Sequence, residues 1–473
     1  MRPARGLLRS GTAATFAQAV RTLALLVTHI VVRRFVPPEE MGIWNWIEPV
    51  FLLLATLRDL GVPSHVVRLL PRPHGTHMRV QLGWGAALGL AVMLAAPLLA
   101  QSFHAPGPAV VAALRVMVVY LLLEGLSGVA LIWFESELKI EQTLPAELAR
   151  TGVYCTVVLA ASVYGLGFWS FVAAQIAAQA VFAAELWRRA RRGGLELAHE
   201  PGSTPRIVLE SLPVGTVWLL STAVLSADPF VVGKLFPPAT VALYNLGYFF
   251  AFLVTRLLQQ PIGRALYPAL VAFEATPREQ FRVFRLATVL FLALEVPAAL
   301  VLAANAELIV LLVGGRDYLG AAPFLALLAF APIVDPLGRF SGELLMARRL
   351  EKVRLLALAL QLVGLVGGGV ALSLALGSSF GMAWANLLPT GSLVVLAVLL
   401  RSADRAQMKR LARELGEIYL MPLLPFALAW WASGERPWLR LATTLGAALL
   451  SLAWVWRRHG AEYRSFFAGG FRG

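Results

Sequence analysis

Long, unbroken apolar runs recur along this chain at residues 11–32, 43–57, 80–100, 111–134, 148–164, 168–187, 207–230, 241–260, 284–304, 319–345, 353–376, 380–400, 415–432 and 438–456. About 20 apolar residues suffice for a helix to cross the bilayer hydrocarbon, where backbone must be helical or closed into a barrel. Continuous runs, unlike alternating ones, select helices. The sequence therefore predicts an all-α polytopic membrane protein of 14 transmembrane helices. With 58% hydrophobic and 14% charged residues, no soluble core could absorb this surface.

The formal net charge of +14 raises nucleic acid as a partner, but the distribution of the charge points elsewhere. If the spans alternate, the side that holds the N-terminus carries 32 Lys and Arg and the opposite side 6. Cytoplasmic loops are the basic ones, so both termini are expected in the cytoplasm of a bacterial cell, with the chain in its cytoplasmic (inner) membrane. No nucleic-acid partner is expected. The first apolar stretch is too long for a signal-peptide core and is expected to be retained. Cys155 is the only cysteine, which excludes an intramolecular disulfide or a cysteine-based metal cluster.

Residues 31–45 read VVRRFVPPEEMGIWN and residues 231–245 read VVGKLFPPATVALYN, identical at five positions. Each copy closes one apolar run and opens the next. Six spans separate them, an even number, so the copies run parallel, which predicts two pseudo-symmetric six-helix lobes. The basic, Gly/Pro-bearing segment from Arg188 to Arg206 reads as the join. The expected organisation is an N-lobe at 1–205, a C-lobe at 206–405, and spans 13–14 with a cytoplasmic tail at 406–473. The basic stretch Arg401 to Glu414 is a candidate surface helix against lipid headgroups.

Three segments carry a family resemblance. RRFVPPEEMGIWNWIEPVFLLLATLRDLGVPSHVVRLL (33–70), DPFVVGKLFPPATVALYNLGYFFAFLVTRLLQQPIGRALYPAL (228–270) and IVLLVGGRDYLGAAPFLALLAF (309–330) resemble Wzx-like polysaccharide flippases. These belong to the MOP superfamily, which also holds MATE exporters and the lipid II flippase. The similarity spans residues 5–405. Ala242 departs from the Gly usual before the aromatic, and the last two spans exceed the twelve typical of the branch. The resemblance implies a MATE-like fold and movement of an undecaprenyl-diphosphate-linked oligosaccharide to the outer leaflet, for surface polysaccharides such as lipopolysaccharide O-antigen. It implies a flippase rather than an enzyme, with membrane lipids and polysaccharide assembly proteins around it.

The ionisable residues within the spans can be set against that implication. Arg at a helix centre costs about 2.5–3.5 kcal/mol on insertion scales, so Arg21, Arg115 and Arg339 must face protein or a wet cavity. Guanidinium binds phosphate oxygens bidentately, which makes a diphosphate a suitable partner. Gln18, Arg21, Thr22 and Thr28 form a polar stripe at helical spacing. Arg58 and Arg68 stand at the cytoplasmic mouth of the first half, Arg256 and Arg264 at that of the second. Gln18 and these six arginines (21, 58, 68, 115, 256 and 264) are the candidates for a cationic cavity between the halves, with helix-to-helix ion pairs as the competing account. Arg339 has Asp335 and Glu343 four residues to either side on one helical face and reads as a self-neutralising structural triad.

Glu48, Glu124 and Asp228, with Glu295, are the acids at membrane depth outside that triad. A buried carboxyl that binds a proton in one conformation and releases it in another can couple transport to H+ or Na+. No cofactor or metal is expected. Glu39 and Glu40 after Pro37 and Pro38 suit a helix first turn. No zinc-ligand pattern, phosphate-binding Gly loop or nucleophile elbow occurs, and the short outer loops leave no room for a catalytic domain. Two alternatives to oligosaccharide flipping remain. The extra pair of spans fits a lipid II-type flippase. A MATE-like cation-coupled drug exporter would favour acidic or aromatic lining over arginine.

Overall fold

The computed structural model describes residues 21, 23–67, 73–104, 107–137, 139–198, 203–274 and 276–468, without the side chains of 203, 260, 261, 264, 265, 402 and 461–468. The described residues form α-helices with short 3-10 turns. The first half runs α1 (Leu23–Val32), α2 (Pro38–Asp59), α3 (Val62–Val66), α4 (His74–Ala100), α5 (Pro108–Val116), α6 (Val118–Ser136), α7 (Leu144–Val163), α8 (Trp169–Arg192), α9 (Ser203–Leu235) and α10 (Pro238–Ala251). It continues as α11 (Leu253–Ala272), α12 (Pro277–Ala304), α13 (Ala306–Gly314), α14 (Ala322–Leu328), α15 (Ala331–Val334) and α16 (Ser341–Ala347). The chain ends with α17 (Glu351–Leu376), α18 (Phe380–Ala385), α19 (Thr390–Ser402), α20 (Arg405–Leu420), α21 (Leu423–Ser433) and α22 (Pro437–Ala468).

Among the described residues eleven helices are long and apolar enough to cross a membrane, or twelve if α10 and α11, bent by 41°, form one span. Fourteen spans were expected. The two left over fall on α1, described over ten residues, and on α2, where Glu39, Glu40, Glu48, Arg58 and Asp59 dilute the apolar character of a 22-residue helix. A second difference concerns the tenth run. It reads as one helix over 319–345, but the spanning helix stops at Val334 and the chain is irregular from Asp335 to Phe340.

The chain divides into two compact units, 1–242 and 243–473. The boundary expected near 205 would have assigned α9 to the second half. In the structure α9 packs antiparallel along α2 inside the first unit. Glycines make that approach possible. A Cβ on Gly61 would lie 2.5 Å from the Gly215 nitrogen of α9, and one on Gly42 would lie 1.8 Å from the carbonyl oxygen of Pro238, where α10 follows α9. Gly61 also has φ 75°, which side chains rarely adopt. The two copies of the repeat occupy matching local structure: Pro38 opens α2 and Pro238 opens α10, as suits a residue whose missing N–H has no intrahelical partner there.

The basic join is more ordered than its composition suggests. Arg188 and Arg189 lie on the last turns of α8 and pair with Glu185 at 2.7 Å, and the Ala198 carbonyl accepts from Gly75 N at the start of α4. Around Trp133, Phe134, Phe182 and Trp187 the helices α6 and α8 build one core of the first unit. The second unit is centred on α12, 56% of whose spanning stretch is buried against 17% for α17. Phe281, Phe284, Phe291 and Phe340 form its interior, with Phe291 and Phe340 edge to face at 5.6 Å. The stretch expected as a surface helix becomes α20. Asp404 caps it, and Glu414 pairs with buried Arg285 of α12 at 2.6 Å. In α17, Gly369 would place a Cβ 2.2 Å from the Met382 sulfur, so the Gly367–Gly369 run serves close helix packing.

Candidate functional site

In the first unit the polar groups gather where α2 ends. Leu60, with φ 50°, and Gly61 stop the helix and leave Arg58 on its last turn, 2% exposed. Its Nε donates to Gln81 Oε1 at 2.7 Å, its Nη1 to the Leu121 carbonyl at 2.7 Å and to Glu124 Oε2 at 3.2 Å, and its Nη2 to Asp59 Oδ1 at 2.7 Å. Gly85 and Gly125 leave the space it fills, for a Cβ on either would come within 3.4 Å of the Arg58 side chain. Glu124 remains about one-third exposed and lies within electrostatic reach of Tyr120, which also senses Arg150 and Glu48.

Arg58 was read from sequence as a substrate cation at an open mouth and Glu124 as a separate ion-coupling acid. The structure joins them in one ion pair and closes Arg58 off, because two neighbouring acids, a glutamine and the Leu121 carbonyl offer acceptors to all three nitrogens of a buried guanidinium.

The other candidates are dispersed. Arg21 pairs with Glu147 of α7 at 3.4 Å, and both side chains stay about one-third exposed. Thr28, from the same stripe, is buried; Gln18 and Thr22 lie outside the described residues. Arg115 is exposed near the start of the α5–α6 span and donates to the Met93 carbonyl at 3.3 Å. Arg256 is exposed, with its guanidinium 5.6 Å from the Phe249 ring. Arg68 and the Arg264 side chain lie outside the described set. Glu48 is exposed on α2 and Asp228 is buried in α9. Glu40 accepts from Phe168 N at 3.1 Å, so one of the two first-turn acids anchors the turn between α7 and α8.

In the second unit the break at 335–340 collects polar groups just beyond the spanning helix that ends at Val334. The sequence assigned Asp335, Arg339 and Glu343 to one helical face, and the break removes that face. Arg339 instead donates to the carbonyls of Ala331 and Pro332, both at 3.2 Å, and lies over the Phe252 ring. Asp335 accepts from Ser392 N at 2.7 Å, while Ser392 Oγ accepts from Leu337 N and Gly338 N, both at 3.1 Å. Glu343 is turned towards Gly263 of α11. Tyr419 OH donates to the Ile333 carbonyl. Close by, Glu295 is buried in α12 and its Oε1 accepts from Thr255 at 2.6 Å, three residues beyond the α10–α11 bend. The sequence carried a signal for the break: Asp335-Pro336-Leu337-Gly338 has turn chemistry inside an apolar run. Among the described residues no group of three His, Cys, Asp or Glu is arranged to hold a metal.

With eleven or twelve candidate spans among the described residues, the chain is a multi-pass helical membrane protein. Residues 31–323 match the family described as polysaccharide biosynthesis protein, and the chain belongs to that family.

A search of curated protein sequences finds no match. Among solved structures, the lipid II flippase MurJ in an inward closed conformation superposes with a TM-score of 0.76 at 12% identity, covering 94% of this chain and 98% of that one. A MATE multidrug resistance transporter of the MOP superfamily, inward-facing, gives 0.65 at 14% identity over 83% of this chain and 95% of that one. A MOP superfamily transporter from Pyrococcus furiosus, with a binding pocket described as of reverse polarity, gives 0.55 at 15% identity over 87% and 96%. The fold is the one these solved structures share.

Proposed function

We propose that this protein is a flippase that carries an undecaprenyl-diphosphate-linked oligosaccharide across the cytoplasmic membrane by alternating access, for surface polysaccharide biosynthesis. The observation that carries the reading is a polysaccharide biosynthesis family match on a transporter fold that presents arginines outside its core, Arg21 about one-third exposed and Arg115 and Arg256 exposed. Those cations suit a diphosphate, whose oxygens accept bidentate, charge-assisted bonds. Arg58 holds the helices around it together rather than meeting the headgroup directly. Glu48, Glu124 and Asp228 are the acids for coupling to H+ or Na+. The loop charge bias favours both termini in the cytoplasm.

A deletion strain tests the reading. Undecaprenyl-linked repeat units should accumulate in the cytoplasmic leaflet, and a plasmid copy should clear them. Absence of accumulation overturns the proposal. Lipid II-type flipping is the second reading, because the likeness to MurJ covers 94% of the chain, a share that must include α20–α22 in part. Rescue of a strain depleted of its lipid II flippase would favour it.

A further inference from the structure

In the second unit α20 and α21 form one span and α22 packs against it as a hairpin, with cations at one end and an apolar groove along its length. On α20, Arg405, Lys409 and Arg413 stand four residues apart, on the side turned away from buried Leu411, Glu414 and Ile418. All three are exposed. Arg413 and Arg458 of α22 share Glu417, at 3.8 and 3.7 Å, which brings exposed Arg457 and Arg458 to the same end of the hairpin.

These cations lack their counter-charge. Among the described residues no carboxylate lies within ion-pair distance of Arg405, Lys409 or Arg457. Like charges four residues apart on a helix repel, and two such contacts follow in succession, Arg405 to Lys409 and Lys409 to Arg413. An anion from outside the chain relieves both.

Below the cations the surface turns apolar. Leu420 and Leu424 are each 67% exposed. A groove of about 910 Å³ opens between α21 and α22, lined by Leu424, Leu428, Gly446, Leu450 and Ala453 among others, and Arg457 follows Ala453 by one turn. Thr443 is the one polar side chain among its described lining residues, and its hydroxyl donates to the Leu439 carbonyl at 2.9 Å. Cations over an apolar trough fit an anionic headgroup with an acyl chain beneath it. The groove has nothing with which to read a glycan, so an ordinary membrane lipid, present in excess, suits it better than the carried one.

We propose that the basic end of this hairpin is a binding site for an anionic phospholipid of the bilayer, its headgroup against Lys409, Arg413 and Arg457 and one acyl chain in the groove between α21 and α22. Each Lys or Arg near the headgroups adds attraction for anionic lipid. Long basic side chains reach the headgroups while their stems lie on apolar surface. The loop charge bias puts this end of the hairpin in the cytoplasmic leaflet. The inference goes beyond the flippase reading and does not depend on it.

The test uses the full-length protein in detergent, with phosphatidylglycerol and zwitterionic phosphatidylethanolamine added at equal concentration and the bound lipid read by native mass spectrometry. The wild type should retain phosphatidylglycerol in preference. The combined variant Lys409→Gln, Arg413→Gln and Arg457→Gln, all at exposed positions, should weaken that preference by roughly tenfold or more. Arg436→Gln, an exposed cation on the turn at the other end of the hairpin, should keep it. Gly446→Leu fills the groove without a clash, because a Cβ there meets nothing within 4 Å, and should retain less phosphatidylglycerol. Equal retention of the two lipids by the wild type, an undiminished preference in the combined variant, or unchanged retention by Gly446→Leu overturns the site. Undecaprenyl diphosphate separates the two sources of lipid phosphate. Added as a small fraction of the phosphatidylglycerol, it should leave retention unchanged; displacement would assign the groove to the carried lipid and overturn the proposal.

Discussion

All three guanidinium nitrogens of Arg58 donate to protein, so its removal strands two acids rather than opening a binding place. Breaking one partner of a fully buried pair costs about 3–5 kcal/mol. Because the Glu124 side chain is 31% exposed, we expect the low end, about 3 kcal/mol, for Arg58→Ala. The drop appears as a lower melting temperature and lower membrane levels. Arg58→Met combined with Glu124→Leu should recover most of the stability, and unchanged melting of the single variant would show that the cluster is not structural. Arg21 differs because its partner Glu147 is as exposed as it is. Arg21→Ala should therefore leave protein levels intact while lowering transport of the linked glycan. Normal transport by that variant would remove Arg21 from the substrate path.

The break between α15 and α16 is the element on which the second unit turns. Ser392 of α19 accepts two backbone amides of the irregular segment and donates its own to Asp335. Ser392→Ala leaves Leu337 N and Gly338 N unpaired at about 1–3 kcal/mol. Hydrogen exchange over 336–341 should then speed up while that of α12 stays slow; equal rates in both variants would deny Ser392 its clamp.

This element also marks the limit of what the sequence discloses. Apolar runs locate the spanning helices but not their ends, the thirteenth beginning at Arg405 rather than 415, because hydropathy governs membrane insertion and not where a helix starts in the polar flank. They fail at 335–340, where Asp335-Pro336 interrupts the run too briefly to change its average. The site was partly legible: Glu124 and Arg339 stood out as charges at membrane depth and Arg58 as a cation at the mouth between two spans. Their partners did not, for Gln81 lies 23 residues from Arg58 and the Leu121 carbonyl 63. Side chains that meet across helices leave no spacing in the chain.

At the scale of the molecule, alternation of helices across the bilayer is the prediction that organises the rest. Cys155 is the only cysteine, so one substitution gives a background for labelling. A cysteine placed at Glu435, on the turn between α21 and α22, should react with a membrane-impermeant maleimide in intact cells, and one at Asp404, before α20, should not. The reverse pattern would invert the topology.

The seam of α2 against α9 has a consequence for which residues such a protein can spare. Leu374 and Val363, about two-thirds exposed on α17, touch little of the protein and can give way to other greasy side chains. Gly42 and Gly61 admit not even one added methyl. A saturation map of tolerated replacements should thus come out as the negative of a water-soluble enzyme's, forgiving at its bulkiest positions and unforgiving at its smallest.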